Sequence, residues 1–294
     1  MFDFVSHRKK FLSVSGILLL ISVLSLIIFG LKPGIDFIGG TMMEIEYEDQ
    51  ALTNAEIKEN LNQFNQEIGQ VQVKATGDKG FILRFKEINE KTHQEILIAL
   101  ESPLEKKFET IGPVIGQELT RKTKSAIILS LLAIIFYIAW AFRKLSRISG
   151  KGESWRYGAG ALVALFHDMI ILLGLFSLLG RFKGVEIDAA FITAILIVLG
   201  YSVNDTIVIY DRVRENLLTY HFKDLEKTIN LSVNESLVRS LNTSLTTLLA
   251  LLAVYLFGGD SIKNFVLAMM VGIGVGTWSS VVVAGSFLLW KRKK

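Results

Sequence analysis

Six runs of 18 to 26 residues with almost no charge leave this chain few folds to choose from: Phe11 to Leu31, Ser125 to Phe142, Tyr157 to Leu179, Ala189 to Tyr210, Leu237 to Phe257 and Phe265 to Trp290. At about 1.5 Å of rise per residue, each run covers a hydrocarbon core of roughly 30 Å. Hydrophobic residues make up 51% of the chain and prolines number 3, which lies outside the make-up of ordinary soluble globules. The expected fold class is a polytopic α-helical membrane protein with six transmembrane helices and one extracytoplasmic α+β domain between the first two.

The first run follows Arg8, Lys9 and Lys10, as a secretory signal would. Its 21 uncharged residues exceed a usual signal core, and Lys-Pro-Gly follows in place of a small-residue cleavage site, so it reads as retained. Lys and Arg in the short connections set the orientation. One side carries 16 of them, at the N-terminus, from Arg143 to Arg156, from Arg212 to Lys227 and from Lys291 to Lys294. The other side's short loops carry Arg181, Lys183 and Lys263. The positive-inside bias then places residues 1–10 and the basic tail 291–294 in the cytoplasm. The net charge of +4 therefore reflects topology and contact with anionic lipid headgroups, not nucleic-acid binding. Cysteine is absent, so disulfide and thiolate chemistry are excluded.

Residues 32–124 separate the first two runs and lie outside the cytoplasm on this topology. Thr41 to Tyr47 reads as a strand, and Thr53 to Phe64 as a helix opened by Thr53 and Glu56 in capping-box spacing. Val71 to Ala75 and Gly80 to Lys86 read as strands around a Gly-Asp-Lys turn, Lys91 to Phe108 as a helix bent or split by Pro103, and Thr110 to Ile115 as a last strand. The order is βαββαβ, a ferredoxin-like pattern, which names no function by itself. The connection into this domain is GIDFIGGT. Gly34, Gly39 and Gly40 permit positive φ and close backbone approach, and Asp36 can bond nearby amides, as a rigid hinge would need. No Lys-Ser or Lys-Thr follows these glycines, so a phosphate cradle is not indicated.

Polar residues inside the apolar runs are the candidate functional site. Asn204 and Asp205 lie in GYSVNDTIVIYDRVREN, with Asp205 seventeenth of 22 residues in its run. An acid at membrane depth usually faces a bundle interior or a water path and marks transport or proton transfer. The plainer alternative is a cap reaching headgroup water. Arg239 opens the fifth run, with Thr243, Thr246 and Thr247 on one helical face and Asn242 at its edge. An arginine there can equally snorkel, and threonines can bond their own backbone carbonyls. Arg239 is the cation whose approach or departure could switch Asp205 between charged and protonated forms. His167 and Asp168, near the centre of the third run, suit either a proton path or a permanent bond between helices. Asp211, Arg212, Arg214 and Glu215 read as cytoplasmic anchors. Gly272, Gly276, Ser280 and Ala284, at four-residue intervals, form a small-residue packing face, and Trp155 and Trp290 suit an interfacial belt.

GIDFIGG, IGPVIGQEL, LFHDMIILLG, GYSVNDTIVIYDRVREN and RSLNTSLTTLLALL occur in this order along the chain. In that set and order the chain resembles the SecF family of bacterial protein-export subunits, related to the proton-driven RND transporters. The resemblance implies a non-enzymatic subunit of the cytoplasmic membrane, with SecD as the other half, the SecYEG channel beside it and an unfolded preprotein as client. It implies a proton path through the Asp205, Arg239 and threonine region, with H⁺ as coupling ion and Na⁺ as the alternative, and no cofactor or metal. The outer domain would move through the GIDFIGG hinge. Two other classes stay open: a half-transporter for a small lipophile, which would need a larger or cleft-bearing outer domain, and a passive scaffold of the channel, for which Asp205→Asn would be nearly silent.

Overall fold

The computed structural model describes residues 3–48, 52–77, 79–142, 153–220 and 224–289. The basic connection at 143–152, the tail, Trp290 and Asp78 of the expected turn lie outside the described residues, as does the side chain of Trp155. Contacts divide the chain into a helical unit, Met1–Lys32 with Ala126–Lys294, and a second unit, Pro33–Ser125.

The helical unit is built from α1 (Phe4–Phe29), the apolar part of α6 (Pro113–Ala141), α7 (Glu153–Lys183), α8 (Ala189–Tyr220), α9 (Leu225–Phe257) and α10 (Asp260–Ser279). Among the described residues, five helices are long and apolar enough to cross a membrane, and α6 carries the expected run from Ser125 as unbroken helix. The protein is thus a helical membrane protein with a small antiparallel sheet. Asp3 caps α1 by accepting from Ser6 N at 3.2 Å, while Asn230 Oδ1 accepts from Phe4 N at 2.8 Å. One side chain of α9 thereby satisfies an amide that α1 cannot bond internally. Asp224 caps α9 through Glu226 N and Lys227 N. Two helices overshoot their apolar runs: α8 continues past Tyr210, and α9 begins well before Leu237. The extensions are tied by Arg212 Nε donating to Glu235 Oε2 at 2.7 Å and Asn216 Nδ2 donating to Ser232 Oγ at 3.0 Å.

Apolar side chains gain little by leaving lipid for protein, so close van der Waals fit holds spanning helices together. The small-residue face of α10 supplies that fit against α8. A Cβ on Gly272 would lie 2.4 and 2.6 Å from the Val198 methyls, and one on Gly276 would lie 2.9 Å from Ser202 Cβ. Beyond Ser279 the last helix widens into a π turn, Ser280–Ala284, before α11 (Gly285–Phe287).

The second unit opens with α2 (Ile35–Ile38), then β1 (Gly40–Glu46), α3 (Asn54–Leu61) with its continuation η1 (Asn62–Phe64) and α4 (Asn65–Ile68), β2 (Gln72–Thr76), β3 (Gly80–Phe85), α5 (Glu90–Ala99) and β4 (Leu104–Ile111). The sheet order is β2-β3-β1-β4, every neighbouring pair antiparallel, with Thr41 opposite both Phe85 and Thr110. Alternation places Met43 and Ile45 of β1 and Phe81, Leu83 and Phe85 of β3 in one core with Ile57, Leu61, Ile96 and Leu100. Thr53 and Glu56 form the expected capping box. The expected helix from Lys91 to Phe108 ends instead at Ala99, and the last strand is Leu104–Ile111 rather than Thr110 to Ile115. Glu101 and Ser102 take positive φ, which stops the helix ahead of Pro103, and the LEKKFETI stretch is then free to pair along β1.

Candidate functional site

Position along α8 decides which polar groups meet. Val198, Ser202, Asp205 and Ile209 recur every three or four residues and are buried together. On α9 the buried polar residues are Thr228, Ser232, Ser236, Ser240 and Ser244, one per turn. Antiparallel packing sets these two rows face to face, and Ser240 Oγ donates to Asp205 Oδ1. Asp205 is 7% exposed, and its Oδ2 is buried without a hydrogen-bond partner among the described residues. Further along the seam, Tyr201 and Thr247 hydroxyls meet at 3.4 Å. The four-residue spacing of the serines is legible in the sequence, but single hydroxyls are common in spanning helices and do not mark a site by themselves.

Arg239 does not pair with Asp205 in this conformation. Consecutive helical residues point about 100° apart, so the turn that gives Ser240 to Asp205 directs Arg239 to the exposed side. There it lines a cleft of about 430 Å³ with Asp211, Arg212, Glu215, Glu235 and Ser236. Asp211 pairs with Arg214 at 2.6 Å and Arg212 with Glu215 along α8, and Arg212 also pairs with Glu235 of α9. Thr243 is exposed and donates to Arg239 O, while Thr247 donates to Thr243 O. Asn204 is also exposed, beside the buried Asp205.

His167 and Asp168 form a second centre on α7. Asp168 is 0% exposed and His167 3%. His167 Nδ1 lies 3.0 Å from Asp168 Oδ1, while Asp168 Oδ2 accepts from Ser202 Oγ at 2.6 Å and Ser279 Oγ at 2.8 Å. One carboxylate thus joins α7, α8 and α10. Ser280 Oγ donates to Ser202 O at 3.2 Å and shares a 2.9 Å bond with Thr206, the neighbour of Asp205. Across the six apolar runs, the only acidic, basic or imidazole side chains are His167, Asp168, Asp205 and Arg239. Among the described residues no cluster of His, Cys, Asp and Glu suits a metal ion. Chemically, the arrangement offers two acids at membrane depth held by hydroxyl donors, with no lysine or arginine bonded to either among the described residues.

In the second unit, Gly34 is the N-cap of α2 in an extended conformation, and Asp36 lies in its first turn. Gly39 and Gly40 take φ of +78° and +128°. A Cβ on Gly39 would sit 3.0 Å from Pro113 N and Cα, and one on Gly40 would sit 2.8 Å from Phe85 O. Both glycines are therefore needed for conformation and for space.

Residues 93–294 match the family model described as protein export membrane protein SecD/SecF, C-terminal, and residues 24–51 match the SecD/SecF GG motif. The chain is 40% identical to the protein translocase subunit SecF of Thermobaculum terrenum, covering 100% of this chain and 95% of that protein. It is 34% identical to the subunit of the same name from Anaerolinea thermophila, covering 99% and 94%. It is similar to the crystal structure of SecDF, a translocon-associated membrane protein from Thermus thermophilus, at TM-score 0.82 and 31% identity over 99% of this chain. It spans 39% of that longer SecDF chain.

Proposed function

Because the chain belongs to the SecD/SecF family of protein-export membrane proteins, we propose that it is a SecF subunit that couples proton flow, together with SecD, to late preprotein translocation and release. The observation that carries this reading is Asp205: an acid buried at membrane depth, bonded by one serine, with its second oxygen unpartnered among the described residues. Such a group has little purpose in a permanent lock, whereas a proton can occupy and leave it.

SecD as the other half is supported by the length of the SecDF chain, of which this one spans 39%, and by the exposed polar residues Asn204, Arg239, Asn242 and Thr243 on helices otherwise suited to lipid. Polar side chains at that depth call for a protein partner or water. The SecYEG channel and an unfolded preprotein follow as further partners. Six spans, both termini in the cytoplasm and a bacterial cytoplasmic membrane are supported by the apolar runs and the Lys and Arg distribution. A ferredoxin-like outer domain is supported by the βαββαβ order and the β2-β3-β1-β4 sheet.

On this mechanism the Ser240-bonded Asp205 is the proton-loaded state. Loss of the proton draws Arg239 from the cleft toward the carboxylate, the α8 and α9 seam shifts, and the wedged Gly34 to Thr41 connection passes the shift to the outer domain. One proton crossing about 100 mV supplies roughly 2.3 kcal/mol, so a few can drive a modest rigid-body change. H⁺ is the coupling ion, with Na⁺ the alternative that an acid among hydroxyls also admits; no cofactor or enzymatic step is invoked. A passive scaffold is the second reading, favoured by the fully bonded oxygens of Asp168. Preprotein export into sealed vesicles, with SecD and the channel present, ATP fixed and the proton gradient varied, separates the two. Asp205→Asn should assemble normally and lose the gradient-dependent increment; a retained increment would leave the scaffold.

A further inference from the structure

The charge state of Asp168 sets which nitrogen of its neighbour carries a hydrogen. With Asp168 ionised its oxygens only accept, so His167 Nδ1, 3.0 Å from Asp168 Oδ1, would be the donor of that bond. In a neutral imidazole the other nitrogen, Nε2, then holds a free lone pair. Nε2 is buried and has no hydrogen-bond partner among the described residues.

Charge accounting supplies the second step. Neutral His167 beside ionised Asp168 is a net negative pair in a region where an uncompensated charge is costly. No cation is on hand to offset it. The residues of α8 and α10 that bond Asp168 are Ser202 and Ser279. Residues 11–31 of the first apolar run, 125–142 of the second and 264–290 around the sixth contain no acidic, basic or imidazole side chain. The remaining groups at this depth are Asp205 on α8, itself an acid, and Arg239 on α9, which lines the cleft beside Asp211, Arg212, Glu215 and Glu235. A proton is the compensating charge that remains. On Nε2 it makes an imidazolium paired with a carboxylate; on Asp168 it makes two neutral groups.

We propose that His167 and Asp168 form a second proton-binding site, holding one proton between them as a neutral pair. The site is joined to the first through packing. Ser202 bonds Asp168 one helical turn before Asp205, and Ser280 bonds both the backbone of Ser202 and the hydroxyl of Thr206. Ser279 and Ser280 stand where the last helix opens into its π turn, a local widening that recurs at functional sites. Losing the proton would strengthen the pull of Asp168 on both serines and so be felt in α8 and α10 together. The role of this site in driving export rests on the proton-coupling reading above; its existence as a site does not.

His167→Asn separates titration from structure, because the asparagine amide can take the place of Nδ1 and keep donating to Asp168 but has no second nitrogen to protonate. The full chain, reconstituted with SecD in lipid, is titrated by the ¹⁵N resonances of its 4 histidines and by infrared carboxyl bands, His167 being assigned by its loss in the variant. The expected result is one proton held by the pair in wild type, released on alkalinisation, and missing from H167N. The gradient dependence of export should fall in H167N from a two-proton toward a one-proton steepness. A His167 that stays neutral beside an ionised Asp168 from about pH 5 to about pH 9 overturns the site. The wild-type titration alone decides the matter if H167N does not fold. A His167 signal that titrates, with Asp205→Asn keeping its export increment, would support the site and sink the coupling reading.

Discussion

Replacing Gly272 with alanine tests whether close approach is what holds α10 to α8. The added methyl would meet Val198 Cγ2 at 2.4 Å, Cγ1 at 2.6 Å and Cβ at 3.1 Å. Val198 is β-branched and strongly restricted at χ1 within a helix, so it has little freedom to swing aside, and the helices must separate. Overpacking of this kind costs about 1–3 kcal/mol. Val198→Ala alone removes two buried methyls and should cost about 1 kcal/mol, near the low end for lost methyls because lipid replaces water as the reference. It also removes the two nearest clashing atoms, leaving only the 3.1 Å contact at Cβ. The double variant should therefore be less destabilised than the sum of the singles by about 1–2 kcal/mol, well beyond the ~0.5 kcal/mol scatter of independent sites. Reversible SDS-titrated unfolding of the full chain in mixed micelles measures all three. Additive singles, or a Gly272→Ala protein as stable as wild type, would refute close approach at Gly272 as the source of this packing.

Gly40→Ala should destabilise the second unit by about 3 kcal/mol, from left-handed strain plus contact with Phe85 O, and hydrogen exchange in β1 and β3 would report it. Protection unchanged from wild type would mean that the turn relaxes freely. Tyr47 is buried and donates to Leu100 O at 3.0 Å, and burial, assisted by Glu101, pushes its phenol from 10.0 up to about 12. A raised folded value means that this contribution is whole below pH 10.0 and is lost as pH rises through about 12. Denaturant titrations of the second unit, followed by the amide I band of its sheet, should show that loss in wild type and a flatter profile in Tyr47→Phe; parallel profiles would contradict it.

Much of the second unit was open to reading along the chain because its signals are local. Thr53 and Glu56 make a capping box from residues three apart, and the alternation of β1 and β3 names their buried faces. The failure at residues 100–108 has a local cause as well. Helical pattern and strand pattern compete there, and the left-handed Glu101 and Ser102 ended the helix in favour of pairing with β1. At the membrane site, the residue types were legible but their partners were not. Arg239 and Asp205 look complementary in sequence, yet one step around α9 puts Ser240 in the place expected for the arginine.

Composition and order alone determined that this is a membrane protein with apolar helices and a small α+β unit, that its polar residues at depth are few, and which they are. Those properties belong to single segments, set by length against bilayer thickness and by the cost of charge in hydrocarbon. Which groups touch depends on helix rotation and on contacts between segments far apart in the chain. Only the tertiary structure therefore decided that Asp205 takes a serine, that Asp168 binds α8 and α10 through Ser202 and Ser279, and that one nitrogen of His167 is left without a partner among the described residues.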